Sequence, residues 1–242
     1  MRKIAIFVEG QTELITVREF LLREFNWNGI EIQCRTFYKK SDFKKVPYDV
    51  SCPNPEVHFQ IINVGNDESV LTRILQREKY MWNSDYEKII GLRDMYSKAY
   101  REDASQINNK VTEKFIKGAA ETIKNKAKSP EKIKMCFAIM EIEAWFLGMY
   151  KVFEKLDNRL TAQYIKEQIG IDMEYVDPQT EFFHPANEME NIYKLAGMSY
   201  DKHKGDIEAI VKHLSKDDYT YLHNSHKCNS FKIFYDSLSP LE

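Results

Sequence analysis

Acidic residues follow three of the most apolar runs of this sequence, and their types and spacing could do chemistry. They are Glu9 after the first run, Asp94 after a later run, and Glu141 and Glu143 after the last. Carboxylates that converge repel one another and need a cation, and Mg²⁺ or Mn²⁺ prefers such oxygen ligands. A cation of this kind activates water and neutralises charge on a phosphoryl group. The pattern therefore indicates phosphoryl chemistry, provided that the fold brings the acids together.

The elements that must position these acids are short buried strands, each followed by a helix. Residues 3–8 form an apolar run that predicts a strand, and residues 13–25 carry apolar side chains at helical spacing. Further strands are predicted at residues 30–38, 57–64, 86–92 and 133–140, and further helices at 68–81 and 104–127. This alternation predicts an α/β fold with a mostly parallel sheet flanked by helices. The carboxyl ends of parallel strands share one edge, where Glu9, Asp94 and Glu141 would meet.

A simpler interpretation of any single acid is that loops after strands are polar. Taken one at a time, the acids favour that interpretation. The joint pattern argues against it, because the acids follow the most apolar strands and a glycine, Gly10, comes directly after Glu9.

The last third of the chain has a different pattern. Helical segments are predicted at residues 161–169, 187–195, 206–214 and 231–238, with no convincing strand between them. We therefore predict an α/β core over residues 1–156 and a C-terminal helical region over residues 157–240 packed on it. Residues 39–55 show no clear period and predict a long loop, in which the pairs Lys39–Lys40 and Lys44–Lys45 could clamp a nucleic-acid backbone.

Composition excludes some classes of protein. The formal net charge of −2 rules out a basic field over the whole molecule. No apolar run approaches the roughly 20 residues of a membrane helix. The four cysteines lie far apart without a CxxC motif, which is typical of reduced thiols in a cytosolic protein. We expect a cytoplasmic protein that does not associate with a membrane.

The run Val8-Glu9-Gly10-Gln11-Thr12-Glu13 resembles the opening motif of Toprim domains, the topoisomerase-primase fold, in which the first strand ends in Glu-Gly-x-Thr/Ser-Glu. Residues 92–96 and 140–146 resemble the second and third acidic motifs of that fold. The chain is most similar to the branch that includes the overcoming-lysogenisation-defect (OLD) nucleases and a bacterial family of unknown function. A typical Toprim pair is Asp-x-Asp, whereas this sequence has Asp94-Met95-Tyr96, and a tyrosine is a poor Mg²⁺ ligand.

The resemblance implies a Mg²⁺- or Mn²⁺-dependent nuclease that cleaves DNA or RNA, in a phage-defence or repair setting. The implied metal ligands are Glu9, Asp94, Glu141 and Glu143, and the implied catalytic residues are Glu9, Glu13, Asp94 and Glu141. The expected phosphate or nucleic-acid contacts are Gly10, Lys98, Arg101 and Lys202. Of these, Gly10 would permit a tight turn and close approach of a phosphate to the helix that follows.

Several alternatives stay open at this point. Because Tyr96 replaces an acid, the chain could be a catalytically weakened subunit that binds nucleic acid or a partner. The partner could be an ATPase or a second copy of the chain. The lysine-rich stretch over residues 98–134 is either a phosphate-contacting face or a solvated helix. Zinc at His223, His226 and Cys228 is disfavoured, because no second pair of ligands lies nearby.

Overall fold

The computed structural model of the chain describes residues 1–38, 42–65 and 69–238, and it has a mixed α/β fold. The strands are β1 (Arg2–Val8), β2 (Ile30–Tyr38), β3 (Asp42–Lys45), β4 (Val50–Ser51), β5 (Val57–Asn63), β6 (Lys88–Asp94) and β7 (Ile133–Ala138). They form one seven-stranded sheet in the order β3-β2-β5-β1-β6-β7, and β4 also pairs with β2. The mostly parallel sheet predicted from the sequence is confirmed.

Strand β1 lies in the centre of the sheet and is parallel to both of its neighbours. Its last residue, Val8, pairs with Asn63 of β5 on one side and with Leu92 of β6 on the other. Residues 4–8 are fully buried, as expected for an apolar run that is covered on both faces. The carboxyl ends of β1, β5 and β6 therefore share one edge, as the alternation of strands and helices predicts.

Gly91 lets neighbouring side chains pack closely against β6. A Cβ atom built at this position would lie 2.5 Å from Met135 Sδ of β7 and 2.7 Å from Ile74 Cδ1 of the helix that precedes β6. Both separations are far below van der Waals contact, so any larger residue would displace these core side chains.

Helices make up most of the remaining structure. They are α1 (Gln11–Glu24), α2 (Val70–Asn83), α3 (Lys98–Asp103), α4 (Asn109–Lys126), α5 (Glu143–Gly148), α6 (Val152–Leu156), α7 (Ala162–Ile169), α8 (Pro178–Glu181), α9 (Pro185–Leu195), α10 (Lys204–His213), α11 (Lys216–Asn224) and α12 (Asn229–Ser237). None of the described helices is long and apolar enough to cross a membrane.

Two predictions about secondary structure were wrong. The stretch predicted as one loop over residues 39–55 contains the short strands β3 and β4, which pair antiparallel with β2. Strands this short show no period of their own; a contact between the rings of Phe37 and Phe43, with centroids 4.9 Å apart, joins β2 to β3. The helix predicted over residues 104–127 is α4 alone, which begins at Asn109 and continues through Gly118. Residues Lys39 and Lys40 lie outside the described ranges.

The chain divides into two compact units, neither of which is one continuous segment. The first unit is Met1–Arg93, Lys110–Phe137 and Asp236–Glu242, and it holds the sheet apart from the last residues of β6 and β7. The second unit is Asp94–Asn109 and Ala138–Tyr235, and it is almost entirely helical. The division predicted between residues 156 and 157 stays a prediction.

The core of the second unit is built around Trp145 of α5. Its indole Nε1 donates a hydrogen bond to Ser230 Oγ at 2.9 Å. Its ring stacks on Phe234 with centroids 5.6 Å apart and meets Phe231 edge to face at 5.2 Å. Phe146, the next residue, is also fully buried. Both residues are therefore core side chains.

Candidate functional site

Glu13 caps the first turn of α1 in the first unit. Its Oε2 accepts a hydrogen bond from the backbone N–H of Gly10 at 2.8 Å, and the side chain is buried. This contact satisfies one of the backbone donors left over at a helix start. Gly10 has φ −144° and is extended, and the chain passes from β1 to α1 through the two residues Glu9 and Gly10. A Cβ atom at Gly10 would lie 3.1 Å from Glu13 Oε2, so the glycine makes room for the capping carboxylate.

Glu9 lies directly after β1, as predicted. Its backbone carbonyl accepts a hydrogen bond from the N–H of Gly65 at 2.9 Å, and Gly65 follows β5. Glu9 therefore lies at the carboxyl edge of the sheet, and the metal ligation expected of its side chain stays a prediction.

Asp94 begins the candidate site of the second unit. It is the last residue of β6, and its Oδ1 accepts a hydrogen bond from the backbone N–H of Ile142 at 2.9 Å. Two backbone contacts continue beyond it, from Met95 N–H to the carbonyl of Ala138 and from Tyr96 N–H to the carbonyl of Met140. Asp94 and the two residues after it thus hold the segment that presents Glu141 and Glu143.

The backbone of that segment turns sharply at Met140. Met140 is buried and has φ 61°, a left-handed conformation that residues other than glycine seldom adopt. The N–H of Glu141 donates to the carbonyl of Ile139 at 3.1 Å, which closes the turn. Glu141 therefore precedes α5, and Glu143 is the first residue of that helix.

Both carboxylate oxygens of Glu141 accept hydrogen bonds. Oε2 accepts from the backbone N–H of Ala186 at 3.0 Å, in the first turn of α9. A helix N-terminus carries a partial positive charge and stabilises an anion there. Oε1 lies 2.5 Å from the Nζ atom of Lys202. The N–H of Ala186 and the ammonium of Lys202 thus hold this carboxylate in place, and Lys202 is 61 residues away in the sequence.

Glu143 is more deeply buried and has fewer partners. Its side chain is 1% exposed, and Oε1 accepts a hydrogen bond from Tyr200 OH at 2.8 Å. Within the described residues, the buried Oε2 atom has no hydrogen-bond partner. Burial raises the pKa of Glu143, the Lys202 ammonium opposes that effect, and the charge of Glu141 adds to it, so the net direction is upward.

Lys202 is the cationic member of the site. Its Nζ lies 2.5 Å from Glu141 Oε1 and 3.4 Å from Glu143 Oε1, while the side chain stays 39% exposed. Desolvation lowers the pKa of Lys202, but the charges of Glu143, Glu141 and Asp94 outweigh it and leave the pKa above its ordinary value. We call Asp94, Glu141, Glu143 and Lys202 the acid cluster.

Three half-buried aromatic rings contact one another in the second unit. Tyr96 lies with its ring centroid 4.7 Å from that of His184 and 5.4 Å from that of Phe183. The guanidinium of Arg101, on the exposed side of α3, lies 5.1 Å from the centroid of the Tyr96 ring. Lys98 is also exposed on α3 and lies 3.9 Å from Glu102.

Four of the predicted site residues are grouped within the second unit. Asp94, Glu141, Glu143 and Lys202 come together in the second unit. Gly10, Glu9 and Glu13 belong to the first unit. Sequence analysis missed Tyr200 and the N–H of Ala186, because nothing in the spacing of these residues points to an acid more than 40 positions away. The His184–Pro185 pair, typical of a helix start, was the available signal for α9.

Carboxylate oxygens such as those of Asp94, Glu141 and Glu143 are the ligands that a hard divalent cation prefers, and among the described residues Glu143 Oε2 has no hydrogen-bond partner. As the side chains stand, no group of three or more His, Cys, Asp or Glu residues in the described part of the chain could hold a metal ion. The ammonium of Lys202 occupies the cationic position beside Glu141 and Glu143. Ligation of Mg²⁺ or Mn²⁺ therefore stays a prediction.

Comparison of the chain with protein-family models, with curated proteins and with solved structures gives no match.

Proposed function

We propose that the chain is a nuclease that hydrolyses phosphodiester bonds of nucleic acid at the acid cluster. The observation that carries the proposal is the sharing of one ammonium, that of Lys202, between two buried carboxylates. Buried sites in which acidic groups outnumber their cationic partners, so that pKa values are shifted, are typical of reactive centres. The resemblance of the acidic motifs to Toprim nucleases supports the same reaction class.

Lys202 has the charge and the freedom that a phosphate contact requires. Its raised pKa keeps it protonated at neutral pH, and its partly exposed ammonium can donate to a phosphoryl oxygen that approaches from solvent. Glu141 stays oriented during this exchange, because the N–H of Ala186 continues to hold its second oxygen. The ammonium is then available to offset charge that develops on the phosphoryl group.

Glu143 is suited to proton transfer. Burial raises its pKa above that of an ordinary glutamate, so the carboxyl group holds a proton that it can donate more readily than an exposed glutamate does. Tyr200 OH fixes one of its oxygens, so the other is the atom that would exchange a proton with water. The described side chains as they stand do not form a site for a divalent cation. If Asp94, Glu141 and Glu143 regrouped around such a cation, they would supply its ligands, and the cation would supply a more acidic water and further charge neutralisation at the phosphoryl group.

Nicking of supercoiled plasmid in Mg²⁺, in Mn²⁺ and in EDTA tests the proposal. We expect metal-dependent nicking by the wild-type protein and a loss of about 10²-fold in the Asp94→Asn variant. The Glu9→Gln variant tests, in the same assay, the role that the sequence predicts for Glu9. The matched control is Asp172→Asn, because Asp172 forms a surface ion pair with Lys166 in the same unit, at 2.6 Å. Wild-type nicking rates in both Asp94→Asn and Glu9→Gln would overturn the proposal.

A binding subunit without catalytic activity is the second candidate. Two observations favour it: Tyr96 stands where a second acid is typical, and the Lys202 ammonium occupies the position of a cation. This candidate predicts no change of melting temperature with Mg²⁺ or Mn²⁺, together with nucleic-acid binding that weakens as salt is raised. Metal-dependent nicking that is lost in Asp94→Asn excludes it.

A further inference from the structure

The residue that departs from the Asp-x-Asp pattern, Tyr96, belongs to a cluster of three rings. The aromatic cluster consists of Tyr96, Phe183 and His184, and each pair of rings meets at a steep angle, between 71° and 84°. All three residues are half-buried, and each ring contacts the other two. Rings held in this way lose little conformational freedom when a planar ligand binds.

The aromatic cluster is continuous with the acid cluster through the backbone. The N–H of Tyr96 donates to the carbonyl of Met140 at 2.7 Å, and Glu141 is the next residue. His184 is the N-cap of α9, whose Ala186 N–H holds the carboxylate of Glu141. A ligand on the rings would therefore lie next to the carboxylates and Lys202.

Helix α3, next to the aromatic cluster, carries charges of both signs, namely Lys98 and Arg101 together with Glu102 and Asp103. The guanidinium of Arg101 is exposed and lies over the ring of Tyr96. Lys98, one turn earlier on α3, is also exposed. Tyr100 supports the rings from inside the unit: its ring packs 6.4 Å from that of Phe183, and its OH is fixed by the N–H of Asn108 at 2.9 Å. The surface thus combines rigid aromatic area with cations, which is the composition that binds single-stranded nucleic acid.

We propose that the aromatic cluster stacks an unpaired nucleobase of single-stranded nucleic acid, while Arg101 contacts the neighbouring phosphate. A base inside a duplex cannot reach these rings, because both of its faces are covered by adjacent base pairs. The inference rests on the proposed function, and it names single-stranded or locally unpaired nucleic acid as the substrate class. Tyr96, which stands where the Asp-x-Asp pattern has its second acid, then provides a ring on which the base stacks.

Binding of oligonucleotides in EDTA tests this proposal without cleavage. The probe is a single strand with one 2-aminopurine, whose fluorescence is quenched when the base stacks on a ring. We expect the wild-type protein to quench the probe and to bind it about 10-fold more tightly than the matched duplex. The Tyr96→Leu variant should lose about 10-fold in affinity together with the quenching, and Tyr96→Phe should keep both.

The matched control is Tyr221→Leu. Tyr221 is a partly exposed ring in the same unit, with Lys151 Nζ 5.7 Å from its centroid, and it lies outside the aromatic cluster. This variant should bind like the wild type. If Tyr96→Leu fails to fold, Phe183→Leu takes its place with the same expected loss.

Two results would overturn the proposal: equal affinity for single strand and duplex, or wild-type quenching in folded Tyr96→Leu or Phe183→Leu. Failure of the nuclease proposal has a different signature, because quenching of the probe would persist while plasmid nicking is absent in every metal. A probe with an abasic site in place of the 2-aminopurine lacks that base but keeps the phosphates. It should bind about 10-fold more weakly than the intact strand.

Discussion

Two lysine–carboxylate contacts in the second unit look alike and differ in their surroundings. Lys202 lies 2.5 Å from Glu141, and Lys155 lies 2.6 Å from Asp218. Both lysine side chains are 39% exposed, and both carboxylates are buried. By distance and exposure alone, the two contacts would be assigned the same role.

The Lys155–Asp218 contact contains one carboxylate, and several donors hydrogen-bond to it. The Oδ2 atom of Asp218 accepts hydrogen bonds from Lys155 Nζ, from Ser215 N–H at 2.8 Å and from Ser215 Oγ at 2.6 Å. These bonds also cap the start of α11. Burial alone would raise the pKa of Asp218, but the hydrogen bonds from Lys155 and Ser215 outweigh burial and lower it. This contact has the features of a structural ion pair.

The acid cluster leaves its charge unbalanced. One ammonium serves Glu141 and Glu143, the pKa of Glu143 is raised, and Glu143 Oε2 has no hydrogen-bond partner among the described residues. The two contacts thus differ in the number of carboxylates for each cation rather than in the length of the ion pair.

The largest difference between the two contacts should appear in activity. We expect Lys202→Met to lower the plasmid-nicking rate about 10²-fold, because it removes the cation proposed to face the phosphoryl group. Lys155→Met should nick at the wild-type rate, since the hydrogen bonds of Lys155 go to Asp218 and to the carbonyl of His213, outside the acid cluster. Equal rates in the two variants would mean that Lys202 has no special role.

Neutral amide variants should separate the two carboxylates by stability. Asp218→Asn should lower the free energy of unfolding by about 1.5–3 kcal/mol, because it weakens hydrogen bonds to a charged group. Glu143→Gln should leave the protein as stable as the wild type or more so at pH 7, since it removes a buried and incompletely paired charge. Urea unfolding at pH 7 measures both. A larger loss in Glu143→Gln than in Asp218→Asn would reverse the comparison.

The two carboxyl groups should also affect stability in opposite directions as pH changes. The pKa of Asp218 is lowered from 3.8, so its contribution is present above that pH and is lost as pH falls through the folded-state pKa. The pKa of Glu143 is raised from 4.5, so the folded protein binds the extra proton and loses stability as pH rises through the folded-state value.

Melting temperatures measured between pH 3 and pH 8 check this prediction. The Asp218→Asn variant should have a flatter acid limb, and Glu143→Gln should have a flatter profile above pH 4.5. Parallel profiles for the wild type and Glu143→Gln would show that burial does not shift the pKa of Glu143.

The smallest expected effect concerns two neighbouring tyrosines of this unit. Tyr200 OH donates to Glu143 Oε1, whereas the buried OH of Tyr193 has no hydrogen-bond partner in the part of the chain that the structure describes. Tyr200→Phe should destabilise the protein by about 1 kcal/mol at pH 7, and Tyr193→Phe should not. Thermal unfolding of the two variants is the measurement. Equal losses of stability would show that the hydrogen bond from Tyr200 to Glu143 does not stabilise the protein.

Sequence patterns predicted the parts of this molecule that depend on local order. The apolar runs predicted the strands that precede Glu9, Asp94 and Glu141, because burial on two faces requires such runs. The antiparallel strands β3 and β4 escaped detection, since strands of four and two residues have no measurable period.

The geometry of the acid cluster could not be predicted in the same way. Whether Glu141 and Glu143 face the same cation depends on the turn at Met140, which has a conformation that its sequence does not favour. The sequence predicted Lys202 only as a phosphate contact. Its contacts with both carboxylates join residues that lie about 60 positions apart in the sequence. Long-range contacts of this kind leave no periodic signal.

The nicking rate of Glu141→Gln, measured beside that of Asp218→Asn, tests the central claim most directly. Both substitutions remove the charge of a buried carboxylate whose oxygen contacts a lysine at nearly the same distance. The account predicts that Glu141→Gln loses about 10²-fold of the metal-dependent rate while folded Asp218→Asn retains it. Retention of the wild-type rate by Glu141→Gln, or equal losses in the two folded variants, would contradict it.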